Sequence, residues 1–165
     1  MKRLVLVLVI VMLPALAFAD FQIGAVGVYN NDITQISSAA VSSSDFLFGL
    51  EARAKLWIFQ VGADALYVPG DQSLVALTDA GLAFDILFLR LGAGIGPDFA
   101  FLTNGEGGTE LYSWNMKLAA DINLGNLAVG VEAFYVYDSP SDLADIGTIF
   151  QQTPFIGVNL LIRLF

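Results

Sequence analysis

The groups that could do chemistry in this 165-residue chain are sixteen carboxylates and seven basic side chains; there is no histidine and no cysteine. Without an imidazole there is no Ser-His or Cys-His couple, and without a thiol there is no disulfide, thiolate nucleophile or zinc ribbon. What remains is carboxylate chemistry: an acid–base dyad, a proton path or a hard-cation site. The carboxylates that invite the question are Glu51, Asp64, Asp79, Asp85, Asp98, Asp121 and Glu132. Each falls inside an apolar alternating run, in company with Arg53, Lys55, Arg90, Lys117 or Arg163. Nothing around them marks a substrate pocket, so an enzyme is not expected. Gly92-Ala93-Gly94-Ile95-Gly96 has the look of a phosphate loop but lies inside a strand pattern, which makes these packing glycines. The acidic segment 138–145 lacks the spacing of a calcium loop. No cofactor and no metal is expected.

Those charges sit in an unusual background. Hydrophobic residues make up 56% of the chain and charged ones 14%, with a mean hydropathy of +0.71. Ordinary soluble domains carry about 25% charged residues, so this chain suits a less aqueous surrounding. A net charge of −9 argues against a nucleic-acid partner, which calls for clustered Lys and Arg.

The N-terminus reads as a removable export signal. Met1-Lys2-Arg3 is basic, Leu4 to Phe18 is almost unbroken apolar sequence, and Ala17-Phe18-Ala19 has the small-x-small form of a cleavage site. The apolar run is shorter than the ~20 residues of a spanning helix, which disfavours a retained anchor. The expected division is a signal peptide over 1–19 and one domain over 20–165. Removing Lys2 and Arg3 leaves five basic and sixteen acidic residues.

Beyond residue 20 the dominant pattern has a period of two. In Phe46-Leu47-Phe48-Gly49-Leu50-Glu51-Ala52-Arg53-Ala54-Lys55-Leu56, one face holds Phe46, Phe48, Leu50, Ala52, Ala54 and Leu56; the other holds Glu51, Arg53 and Lys55. Read this way, eight strands emerge, roughly over 21–29, 45–56, 59–68, 75–86, 89–99, 111–124, 127–137 and 154–165. Loops rich in Ser, Asn, Asp, Gly and Pro at 30–44, 69–74, 100–110 and 138–153 alternate with tight turns at 57–58, 87–88 and 125–126. Gly125-Asn126 is a hairpin signal; the other two turns are apolar and follow from parity alone. Phe21-Gln22-Ile23-Gly24 recurs as Phe59-Gln60-Val61-Gly62 and, more loosely, as Leu89-Arg90-Leu91-Gly92 and Leu127-Ala128-Val129-Gly130. A hairpin unit is therefore repeated four times.

Three features say which face points in. The less apolar face is rich in glycine, including Gly24, Gly49, Gly62, Gly81 and Gly130, as a crowded interior requires. Aromatics gather at both strand ends: Tyr29, Tyr67, Tyr112, Trp114, Tyr135 and Tyr137 toward the loops, Trp57, Phe59 and Phe165 toward the turns. Such girdles mark the two interfaces of a bilayer. Finally, all five remaining basic residues fall on the less apolar face, whereas on a lipid face each would cost ~2–4 kcal/mol at the midplane. A two-residue turn at 87–88 sets Asp85 across from Arg90 as an ion pair. The turn at 57–58 sets Glu51 across from Asp64, a repulsive pair unless Arg53 lies between them, and Glu132 falls diagonal to Lys117.

An export signal, four alternating hairpins, short turns opposite longer loops and a terminal Phe165 resemble the small eight-stranded outer-membrane barrels of the OmpA-like membrane-anchor superfamily. The resemblance covers everything after the signal. It implies an all-β, eight-stranded antiparallel up-and-down transmembrane β-barrel in a bacterial outer membrane. Its partners would be outer-membrane lipid and the barrel assembly machinery, and it would be a monomer with both termini on the periplasmic side. The last strand departs from that superfamily: its apolar series Ile156, Val158, Leu160, Ile162, Leu164 runs one residue out of step with Phe165. The functional expectation is a non-enzymatic barrel with a sealed polar lumen and a structural or surface-display role through acidic loops. A narrow porin-like channel and a soluble periplasmic lipocalin-like barrel are the alternatives.

Overall fold

Alternating sequence needs a sheet with two unlike faces, and a sheet this long avoids bare edges only by closing on itself. The computed structural model shows that closure and describes residues 20–31, 42–69, 72–101 and 109–164. The export signal expected over 1–19, Phe165 and parts of the longer loops lie outside the described residues. Eight antiparallel strands run in chain order around a closed barrel: β1 (Asp20–Tyr29), β2 (Phe46–Leu56), β3 (Phe59–Val68), β4 (Ser73–Ile86), β5 (Leu89–Phe101), β6 (Thr109–Leu124), β7 (Leu127–Tyr137) and β8 (Phe155–Arg163). β8 returns to pair with β1. The sequence-based boundaries fall within a few residues of these.

The stagger of the closure follows from the register. From Asp20 the pairs run through Lys55, Gln60, Gly81, Gly94, Lys117, Phe134 and Phe155, and return to β1 one place beyond Tyr29↔Ile156. That is an offset of about ten residues, which for eight strands means a tilt of about 40°.

The three short turns share one construction. Trp57, Leu87 and Gly125, each the first residue of its turn, have φ of 57°, 58° and 70°. The second residue of each turn is pinned to the next strand. Ile58 accepts from the N–H of Ala83 at 2.8 Å, Phe88 from Asn123 at 2.7 Å and Asn126 from Arg163 at 2.7 Å. The apolar turns inferred from parity therefore exist. The recurring sequence unit is the strand that leaves each of them.

Inside and outside are chemically opposite. Among the described residues, the outward strand positions carry no Asp, Glu, Lys or Arg; Phe48, Leu50, Val61, Phe84, Val131 and Val158 are typical and exposed. Nine charged side chains, from Glu51 to Glu132, are buried within. Glycine makes this crowding possible: a Cβ on Gly81 would lie 1.9 Å from the Ala93 carbonyl oxygen, and one on Gly130 would lie 2.0 Å from Asp121 Oδ1. Pro97 has no N–H to give the ladder, and the β4–β5 pairing is interrupted between Leu77↔Asp98 and Ala80↔Ile95. There the Thr78 carbonyl accepts from Asn115 Nδ2 at 2.9 Å, and the Thr78 hydroxyl donates to the Pro97 carbonyl at 2.6 Å.

The segment expected as an open loop over 138–153 is partly ordered. A 3-10 turn (Pro140–Asp145) and a single helical turn (Ile146–Ile149) fold onto the outer wall of β6 and β7. Ile149 is buried there with Met116 and Tyr137.

Candidate functional site

Most of the described inward charges form one central network and one chain at the turn rim. At the centre, Arg53 on β2 donates through Nε to Glu51, through Nη1 to Asp121 at 2.6 Å and through Nη2 to Glu132. Lys117 stands on β6, four strands away and so on the opposite wall. Its Nζ donates to Glu51 Oε1 at 2.6 Å and Asp64 Oδ2 at 2.8 Å, and lies 3.0 Å from Glu132 Oε1. Asn159 on β8 donates to Asp121 Oδ1 at 3.1 Å and Glu132 Oε1 at 3.0 Å. Burying a charge is costly unless it is paired and hydrogen-bonded, and these contacts supply both. Five of the eight strands are thereby tied together across the lumen.

Four carboxylates share two cations in this network, and Glu51 Oε2, Asp64 Oδ1 and Glu132 Oε2 are buried without a hydrogen-bond partner. Glu51, Asp64 and Glu132 present oxygens within 4.8 Å of one another, a set that suits a hard cation. The Lys117 ammonium contacts all three, so a tethered cation takes that place.

The rim chain is more exposed. Asp85 Oδ1 accepts from Arg90 Nε at 2.7 Å, as the two-residue turn at 87–88 requires. Lys55 Nζ reaches Asp85 Oδ2 at 2.5 Å, Arg90 Nη2 donates to Asp20, and Arg163 Nε lies 2.9 Å from Asp20 Oδ1. Asp20 is absent from the polar set expected from sequence; its period-two register with Gln22 on β1 is the signal that places it here.

One expectation about partners comes out differently. Glu51 and Asp64 do face each other across β2 and β3, but it is Lys117 from the far wall that neutralises both, while Arg53 turns to Glu51, Asp121 and Glu132. Asp79 and Asp98 stand apart from the network. Asp98 is held by neutral donors, Ser113 Oγ at 2.7 Å and Asn115 Nδ2 at 2.6 Å. Asp79 lies where Gly62 and Gly94 leave room: a Cβ on either would come within 2.6 Å of its carboxylate. The pairing of Glu132 with Lys117 agrees with their diagonal register. Gln22, Gln60, Asn115 and Asn159, all buried inside, carry no charge and fall outside the polar set expected from sequence, although they share the period-two face of the acids.

The aromatic ends are also unequal. Trp57 and Phe59 are exposed at the turn end, their rings 6.3 Å apart. Tyr67 and Tyr112 are exposed toward the loops, and Tyr29 tilts against Phe46 at 5.3 Å. Tyr137, by contrast, is buried, and Trp114 and Tyr135 pack beside it against the 140–149 segment; Tyr135 meets Phe150 edge-on at 5.3 Å. Several loop acids have local duties. Asp45 and Asp142 complete capping boxes with Ser42 and Ser139, and Asp145 accepts from Thr148 Oγ1 at 2.7 Å.

No protein-family model, no curated protein and no solved structure matches the chain.

Proposed function

We propose that the protein is a non-enzymatic outer-membrane barrel whose lumen is closed by its own ion pairs and whose role is structural, holding acidic loops at the cell surface. The observation that carries this reading is the reversal of polarity across the barrel wall. The described outward positions are free of charge, while Arg53, Lys117 and their carboxylates are buried inside. A soluble barrel would expose this entire apolar wall to water, at odds with the modest patches soluble monomers tolerate. Dimensions agree: the ten residues of β3 at about 3.3 Å each, tilted by about 40°, rise about 25 Å, the height of a barrel's apolar band.

A closed lumen is favoured over a channel because the Arg53 and Lys117 contacts cross it from wall to wall. Two measurements test the reading. The full chain, expressed in a Gram-negative host, is expected in the outer-membrane fraction; recovery in the soluble periplasmic extract would overturn it. In a planar bilayer the inserted protein is expected to be silent. Discrete, reproducible current steps would put the channel first.

A further inference from the structure

The inner wall changes character halfway along its length. Toward the turns it is charged. Toward the loops it is mainly apolar, with Ser73, Asp98 and Ser113 as polar members: Val28, Leu47, Leu66, Leu77 and Phe134 are buried as one cluster, with Val75 and Phe155 packed against it. They surround a cavity of about 1030 Å³ inside the loop end of the barrel. This is the size of a small-molecule site rather than a packing defect. Phe134 separates it from the network below, its ring centroid 5.2 Å from Lys117 Nζ.

We propose that this cup binds an uncharged molecule with a single linear hydrocarbon chain. The apolar cluster sets the first requirement, since along Val28, Leu47, Leu66, Leu77 and Phe134 water finds no hydrogen-bond partner and a hydrocarbon guest replaces it readily. Charge sets the second. Among the described residues no Lys or Arg lines the cavity, and the carboxylate they place on its wall, Asp98, already has both oxygens engaged by Ser113 and Asn115. A carboxylate or phosphate head group would find no counter-charge there and would face that acid. Width sets the third, because the interior of an eight-stranded barrel is little wider than the side chains that fill it. One chain fits lengthwise; a two-chain phospholipid does not. The cup lies within the barrel whatever surrounds it, so this inference stands apart from the membrane reading.

The test holds the full-chain protein in a fluorinated surfactant, whose tails mix poorly with hydrocarbon, and follows the methyl NMR signals of Leu66, Leu77 and Val28. Titration with 1-dodecanol is expected to give saturable shifts. Dodecanoate at a pH where it is ionised is expected to bind at least tenfold more weakly. Leu66→Trp, which fills the cup, is expected to abolish the shifts of Leu77 and Val28, whereas Val131→Ala on the outer wall keeps them. Ala100→Lys, which adds a cation to the cavity wall, is expected to bring dodecanoate up to the affinity of dodecanol and serves if Leu66→Trp fails to fold. In bilayers of diacyl phospholipid without added alcohol the cup signals are expected to stay unshifted. The proposal is overturned by any of four results: no saturable shift with dodecanol, equal binding of dodecanoate to the unaltered protein, undiminished binding by folded Leu66→Trp, or shifts caused by the phospholipid alone. None of these depends on where the protein is found in the cell.

Discussion

Arg53 and Lys117, rooted on opposite walls of the barrel, hold the same two carboxylates, Glu51 and Glu132. Each cation also holds one acid the other does not touch, Asp121 for Arg53 and Asp64 for Lys117. The centre of the barrel is therefore a cross-brace in place of a hydrophobic core. It costs desolvation and repays it only while complete.

Removing one arm of the brace should be severe. Lys117→Met is expected to lower unfolding stability by about 3–5 kcal/mol, because Asp64 and Glu51 would stay buried with less compensation. Urea titration in lipid vesicles, followed by tryptophan fluorescence, measures it. Adding Glu51→Gln to Lys117→Met should restore part of the loss. A purely additive double variant would show that the two residues do not couple.

The outer wall makes a separate prediction. Val131, exposed in the middle of β7, should tolerate arginine poorly if lipid lies against it, with a loss of about 2–4 kcal/mol. The same urea titration on Val131→Arg reads this directly. A change within a few tenths of a kcal/mol would mean that water, not lipid, faces β7.

Leu87 occupies the left-handed region at φ 58° with its side chain almost fully exposed. That conformation costs about 1–2 kcal/mol for a residue with a Cβ, and glycine returns about 0.5–1 of it through chain entropy. Leu87→Gly is therefore expected to stabilise the barrel by about 0.5–1 kcal/mol in equilibrium unfolding. Trp57→Gly should gain less, because it also forfeits the ring contact with Phe59.

Strand approach at the inner glycines can be tested by contrast. Gly81→Val should prevent barrel formation, since its Cβ would lie 1.9 Å from one backbone oxygen and 2.4 Å from the Gly94 Cα. Gly92→Ala should be tolerated, as nothing comes closer than 3.6 Å to its Cβ. Retention of heat-sensitive mobility on a denaturing gel separates folded from unfolded protein. Folded Gly81→Val would refute the steric argument.

What could be read from sequence was whatever depends on neighbours within one hairpin. Period-two alternation located the strands and their faces. Two-residue turns then set the register, and register alone placed Asp85 beside Arg90 and Glu51 opposite Asp64. Contacts across the lumen were not legible in that way. They depend on the closing offset of about ten residues, which brings β2 against β6 at a height no single hairpin encodes. That is why Lys117, and not Arg53, neutralises Asp64. The same offset stacks inward residues of all eight strands into layers, gathering the charges toward the turns and Val28, Leu66 and Phe134 into a cup toward the loops. The folding of 140–149 over Tyr137 was likewise decided in three dimensions, since a strand pattern says which way a tyrosine points but not what later chain will cover it.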